Sequence, residues 1–326
     1  MGVFPHHLSL ANEIKDERRN SMSYLGQQLV NGLTLGGVYA LIALGYTLVY
    51  GVLQILNFAH GDVYMVGAFI GFFVMVGLGG PLKPSVPVAV MILIMFLVAM
   101  LGTGLLGIVI ERFAYRPLRN STRIAPLISA LGVSILLQNA ALLLFSANIR
   151  SYDTSSYISS TLGFSFADIT IDGVRLFVLV LSIALMFGLA RWVNGTQVGR
   201  AMRAIAYDRD AAVMMGIDVD KVIRWTFFVS AALAGAAGVM NGLLLRGVSN
   251  GMGLVPGLKG FTAAVVGGIG SIPGAMLGGL LLGVVESLAQ GYLSTNFSDT
   301  ITFALLIVVM LLKPNGLLGK RAIVKA

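Results

Sequence analysis

Apolar residues fall along this chain in long runs rather than in the short alternations of soluble strands or the one-sided stripes of soluble helices. A hydrocarbon core about 30 Å thick needs about 20 apolar residues for each helical crossing. Stretches of that kind cover residues 25–52, a segment ending near 78, 88–109, 126–145, 176–193, 225–245, a segment opening near 275, and 300–312. The pattern predicts an all-α, polytopic helical membrane protein with about eight transmembrane helices.

Two places break the runs. The first is Asn57-Phe58-Ala59-His60-Gly61-Asp62, where polar and ionisable side chains stand between two long apolar segments. The second is Gly267-Gly268-Ile269-Gly270-Ser271-Ile272-Pro273-Gly274, inside a run from 261 to 290 that is longer than one crossing. Proline removes a backbone hydrogen bond and clashes with the preceding turn, so one helix does not pass through that stretch cheaply. Broken or re-entrant segments are therefore expected near 53–62 and 261–274. At the second, a half-helix from Phe261 precedes a full span from Ala275. The same logic places a half-helix near Asn57.

Composition supports the lipid setting. Hydrophobic residues make up 57% of the 326 and charged ones only 11%, against about 25% charged in soluble domains. The 41 glycines exceed what helices in water tolerate, at about 1 kcal/mol each relative to alanine. In membranes, small residues allow close backbone approach, which favours a transporter or channel over a plain anchor. With no cysteine, disulfides and thiolate metal sites are excluded.

A net charge of +8 would point to nucleic acid in a soluble chain. Here the basic residues gather in short connections, so charge reads as topology and no nucleic-acid partner is expected. Arg112, Arg116, Arg119 and Arg123 mark one cytoplasmic loop, and Arg191, Arg200, Arg203, Arg209, Lys221 and Arg224 the longest one. Lys313, Lys320, Arg321 and Lys325 place the C-terminus, with its tail 321–326, on the same side. The span split at 261–274 is what lets all three lie inside. Residues 146–175, rich in Ser, Thr, Tyr and Asp, read as an exposed outer loop, and 79–87, with Lys83, as a short one. Residues 1–24 read as a soluble, poorly ordered lead-in without a secretory signal. Met22 stands just before the first span as a second candidate start.

The candidate chemistry sits at the breaks. A charge at a helix centre costs about 2.5–3.5 kcal/mol on insertion scales, so Asn57, His60 and Asp62 are not expected to face lipid. Either they line or brace a translocation pathway together with Phe58 and Gly61, or they are hydrated at a membrane face. Gly267, Gly268, Gly270 and Ser271 are the matching candidates at the second break. The two breaks resemble each other weakly, as internal repeats in transporters do where their broken segments meet. Gln138, Asn139, Asn241 and Glu286 within spans read as interhelical packing glue or pore lining. His60 has no neighbours at ligand spacing, so no metal or cofactor is expected. No Ser/His, paired-Asp or His-rich constellation recurs across the spans, so the chain is not read as an enzyme.

The stretch 199–218 alternates apolar Ala201, Met202, Ile205, Ala206, Ala212, Val213 and Met214 with charged Arg200, Arg203, Asp208, Arg209 and Asp210, then stops at Gly216. One or two short amphipathic helices are expected there. They either lie in the headgroups or dock a partner, the second reading resting on the spacing Asp210-Ala211-Ala212-x3-Gly216.

That spacing looks like the loop by which ABC importer permeases engage their ATPases. Asn31-Gly32 with Gly36, the run 39–46, Asn57-Phe58-Ala59-His60-Gly61, Glu111-Arg112 with Tyr115-Arg116-Pro117-Leu118-Arg119, Gly199-Arg200-Ala201, and Phe261-Thr262-Ala263-Ala264 through Ala275 add to it in order. Together, over about residues 25–320, the chain resembles the high-affinity permeases of branched-chain amino acid ABC transporters. Asp210 replaces the usual Glu, and the later Ile-x-Leu-Pro part of the general importer motif is missing. The resemblance implies an importer transmembrane domain over 25–320 in a bacterial inner membrane, with Gly199, Arg200, Arg203, Asp210, Ala211, Ala212 and Gly216 coupling to ATPases. It also implies a second homologous permease, two cytoplasmic ATP-binding subunits, an extracytoplasmic substrate-binding protein and an apolar amino acid as cargo. The chain carries no G-x4-G-K-[ST] phosphate loop. The alternative is a stand-alone secondary transporter or channel for a small polar solute such as urea or an amide.

Overall fold

The computed structural model describes residues 6–79, 88–119, 121–122, 124–152, 164–166 and 169–319. The expectations for residues 1–5, for the loop with Lys83, for Arg123, and for the tail from Lys320 lie outside them. The described chain is almost entirely helical: α1 (His6–Leu53), α2 (His60–Gly79), α3 (Val88–Ile110), α4 (Ile124–Phe145), α5 (Gly173–Gly195), α6 (Gln197–Tyr207), α7 (Arg209–Met214), α8 (Val219–Leu245), α9 (Leu254–Gly267), α10 (Ile272–Tyr292) and α11 (Ser298–Leu312). Among the described residues, 8 helices are long and apolar enough to cross a bilayer: α1 to α5, α8, α10 and α11. The protein is a polytopic helical membrane protein.

Helices α1 and α8 form the centre. Helix α1 packs against α10, α8, α9 and α5, while α8 receives α2 and α3. Glycine makes the closest of these approaches possible. A Cβ on Gly32 would lie 2.7 Å from Val284 Cα, and one on Gly36 2.8 Å from Leu280 Cα, so α1 and α10 run antiparallel with their backbones nearly touching. Helices α3, α4, α5 and α11 turn large apolar side chains outward, among them Leu105, Leu143, Phe187 and Leu311, as a lipid-facing surface requires.

Three boundaries differ from the sequence pattern. The first helix starts at His6 rather than Leu25. Near Asn57 there is no half-helix; α1 and α2 are both full spans, separated only by residues 54–59, and Gln54 takes φ 54 to end α1. Helix α9 opens at Leu254 instead of Phe261. Gly257 and Gly260, which look like turn residues, serve there as contact surfaces, and Pro256 stands in the first turn, where its missing N–H costs nothing.

The outer-loop reading of 146–175 also needs correction at Tyr152, which is 1% exposed. Its ring fills the space left by Gly242, whose Cβ would sit 2.7 Å from ring carbon Cε2, and its hydroxyl donates to the Ala68 carbonyl. A two-residue antiparallel ladder, Arg150–Ser151 with Gly247–Val248, holds it in place.

One face of the bundle carries α6 and α7, the end of α1 at Val52 and Leu53, and the start of α8. After α3, a π-helical turn (Glu111–Tyr115) and a 3-10 turn (Arg116–Leu118) reach the same face, where Arg116 and Arg119 pair with Asp220 of α8. Arg119 also pairs with Glu111, which is 0% exposed, so the end of α3 is braced by a buried ion pair. Because α10 is antiparallel to α1, its start lies on this face too. The segment after α11 folds against it, with Leu317 and Leu318 N–H groups donating to the carbonyls of Val266 and Gly267, each at 2.9 Å.

Candidate functional site

The first break builds a buried polar cluster. Asn57 accepts from the Tyr115 hydroxyl at 3.0 Å and from its own chain at Ala59 N, 3.2 Å, so the π-helical turn after α3 latches the connection from α1 to α2. Such turns are frequent at functional sites. His60 opens α2 and is 1% exposed. Its ring lies edge-on to Tyr46, centroids 4.7 Å apart, in the space beside Gly45. Asp62 is 2% exposed and receives Ser134 Oγ at 2.5 Å and Gln138 Nε2 at 3.0 Å from α4. These donors offset the burial of the carboxylate, and neither a lipid-facing nor a hydrated position describes it. Phe58 packs toward Phe261, centroids 6.2 Å apart.

This cluster meets the opening of α9. A Cβ on Gly61 would fall 2.5 Å from Gly253 O and 3.0 Å from Gly257 Cα. Toward α9 the neighbours of Asn57–Asp62 are Gly253, Gly257 and Phe261. Gly267, Gly268, Gly270 and Ser271 lie at the far end of α9, a rise of about 20 Å for its length. There Gly267 packs on Gly274, Gly268 (φ 106) and Gly270 (φ 87) turn the chain, and the Ser271 hydroxyl caps α10 by accepting from Gly274 N at 3.3 Å. The two breaks do not meet through the residues that look alike. They are joined by the length of α9.

Midway along α9 is a group that the hydrophobic pattern hides. Lys259, 6% exposed, reaches Glu286 of α10 at 2.8 Å and Asp299 of α11 at 2.6 Å, with the Tyr39 ring of α1 5.9 Å from its Nζ. Glu286 also accepts from Gln290 at 3.1 Å. The ion pair fastens the short helix to three others. Lys259 stands among glycines, outside every apolar run of the sequence. The available signal was Glu286 itself, a lone acid in an apolar run that needs a cation. Of the other polar candidates, Gln138 serves Asp62, Asn241 is buried, and Asn139 is exposed and bonds its own helix at Ile135 O, 2.8 Å.

The amphipathic stretch forms two short helices. Thr196 caps α6 by accepting from Gly199 N at 3.2 Å. Gly199 is buried against the Val193 carbonyl, to which Arg203 also donates, making a stiff corner between α5 and α6. Asp208 caps α7 through Asp210 N and Ala211 N, both at 3.1 Å. Ala212 faces inward at 4% exposure, Arg200 and Asp210 are exposed, and Gly216 ends the helix at φ 79. Outward stand Tyr207, Val213, Met214 and Met215 at 76%, 54%, 81% and 82%.

Comparison with known proteins places this architecture. A family model described as branched-chain amino acid transport system / permease component matches residues 28–310. The chain is 44% identical, over 92% of its length and 97% of the other's, to the high-affinity branched-chain amino acid transport system permease protein BraD of Pseudomonas aeruginosa. It is 41% identical over 93% and 98% to the permease protein LivH of Escherichia coli (strain K12). A probable LivH of Methanocaldococcus jannaschii is 29% identical over 90% and 93%. With its buried break and its two short amphipathic helices inside the matched range, the chain belongs to the permease component family of branched-chain amino acid transport systems.

Proposed function

We propose that the chain is the membrane-spanning subunit of an ABC importer for apolar amino acids such as leucine, isoleucine and valine, working beside a second homologous permease. Its motor is a pair of separate ATP-binding subunits docked on α6 and α7, and a substrate-binding protein delivers cargo to the opposite face. The membrane is the bacterial inner membrane, and the lever face with the C-terminal segment is cytoplasmic, as the basic residues near α6 and the turn after α3 favour. The observation that carries this reading is the exposed apolar surface of Tyr207, Val213, Met214 and Met215 on a short, well-capped element within a chain of this family. Apolar side chains so exposed beside a membrane face mark an interaction site.

Force on α7 passes to α6, then through the Gly199–Val193 corner into α5 and through α8 toward the Asn57–Asp62 cluster. In this reading Asn57, Phe58, His60, Gly61 and Asp62 brace or line the pathway, while Gly267, Gly268, Gly270 and Ser271 fix the far end of α9.

Asp210→Arg and Gly216→Pro are expected to leave membrane insertion intact and to lower uptake by about tenfold or more, as for a docking position worth about 2 kcal/mol. Proline has no N–H and fixes φ near −65°. It therefore removes both the positive φ of Gly216 and the bond from Gly216 N to Val213 O at 2.9 Å. Uptake and copurifying, substrate-stimulated ATPase activity measure the effect, and normal values of both in these variants would defeat the docking role. Solute uptake by the chain alone in nucleotide-free vesicles would instead favour the stand-alone transporter.

A further inference from the structure

The end of α3 and the start of α8 share a flank that is both cationic and open to lipid. The two helices run antiparallel: a Cβ on Gly107 would lie 2.7 Å from the Phe227 carbonyl oxygen and 2.6 Å from Ala231 Cβ, while Arg116, beyond the end of α3, pairs with Asp220 at 2.7 Å. Arg112 lies between those two contacts in sequence, which brings it level with residues 221–225 of α8. Trp225 is on this flank. It is 45% exposed, and its ring stands edge-on to Phe228, centroids 5.6 Å apart, whose own ring fills the hollow at Gly104 of α3. Lys221 is one turn before Trp225 on the same helix face, and both Lys221 and Arg112 are exposed.

Neither Arg112 nor Lys221 forms an ion pair with a described residue. The acids nearby are engaged elsewhere. Glu111 pairs with Arg119, Asp220 with Arg116 and Arg119, and Asp218 caps α8 by accepting from Lys221 N at 3.0 Å. Toward the membrane's middle, the row Leu101, Leu105 and Val109 of α3 is exposed and leads directly to Arg112. Arginine and lysine at the end of such a row lay their aliphatic stems along it and hold their charges at headgroup level.

We propose that this flank binds the headgroup of an anionic phospholipid such as phosphatidylglycerol. The phosphate sits between Arg112 and Lys221, Trp225 lies at the glycerol level where aromatic side chains favour an interface, and an acyl chain follows Leu105 and Leu101. Basic pockets between spans select anionic headgroups by this charge complementarity. A lipid held there clips α3 to α8 three residues before Tyr115, whose hydroxyl latches Asn57. Setting the orientation of the chain requires only basic residues on one side of the membrane, whereas a built site requires these particular side chains.

The test uses the full-length chain purified in a neutral detergent and titrated with phosphatidylglycerol or phosphatidylcholine. Bound lipid is counted by native mass spectrometry and stability is read by thermal unfolding. Phosphatidylglycerol at about ten times its dissociation constant should raise Tm by about 3 °C, and phosphatidylcholine should leave it unchanged. Arg112→Gln with Lys221→Gln should weaken phosphatidylglycerol binding about thirtyfold and abolish the shift, each single variant about fivefold. Arg112→Lys should retain most of the binding. Arg191→Gln is the control, an exposed arginine at the same end of α5, and should bind as the parent does.

Should the double variant not fold, the single variants carry the comparison. Equal binding of the two lipids overturns the site. So does a loss in Arg191→Gln as large as in Arg112→Gln, which would assign the attraction to diffuse positive charge. A shift of the same size with inorganic phosphate alone would show an anion site without a lipid, and would also overturn it.

Discussion

Lys259→Met is expected to destabilise the protein by about 3–5 kcal/mol, because it leaves Glu286 as a buried charge without its cation. Glu286 is 4% exposed at its side chain, whereas Asp299 is 53% exposed and can turn to water. The burden therefore falls on α10. Adding Glu286→Met should recover most of the loss, since replacing a buried ion pair by apolar side chains is often neutral or stabilising. Thermal unfolding of the purified protein in detergent checks both variants. A single variant as stable as the parent, or a double variant no better than the single, would show that the pair does not hold α9. The outcome also separates anchoring from transport. If the pair only fixes α9 in place, the double variant regains uptake along with stability.

Gly61→Leu and Gly268→Leu should each abolish measurable uptake. At Gly61 the added atoms meet backbone, Gly253 O at 2.5 Å and Gly257 Cα at 3.0 Å, which cannot rotate aside as a side chain can. Overpacking costs about 1–3 kcal/mol even where side chains can yield. At Gly268 the same clash, with Gly319 Cα 2.6 Å from the added Cβ, is joined by φ 106, a conformation that leucine adopts only under strain. Gly132→Leu on α4 is the control, because its Cβ would meet nothing within 4 Å. Membrane content and association with the ATPases are measured beside uptake. Uptake at the parental level in both variants would show that the two glycines are incidental. Loss of uptake in the Gly132 variant as well would assign the effect to leucine in a membrane helix generally.

Much of this architecture was legible as text. The apolar runs match the observed spans within a few residues, and the stop at Gly216 follows from local chemistry alone. The break at Asn57–Asp62 was readable too, but whether it was buried or hydrated at a membrane face was not; the structure buries His60 and Asp62 at 1% and 2% exposure. What could not be read was partnership. Nothing near Asp62 in sequence announces Ser134 and Gln138, and nothing near Tyr152 announces the hollow at Gly242. Gly257 and Gly260 read as turn residues because glycine has the same letter whether it bends a chain or lets a neighbour approach.

The sequence by itself determined the lipid setting, the number of crossings, the two breaks and the short amphipathic helices at 199–216. Each depends on transfer free energy or hydrogen bonding summed over residues that are neighbours along the chain. Only the tertiary structure decided which backbones touch, that Gly61 meets the opening of α9, and that Lys259 finds Glu286 and Asp299. In a membrane, apolar surface drives helices into lipid but does not choose among helical neighbours. That choice falls to close packing and to a few buried charges, whose pairing is a property of three-dimensional shape.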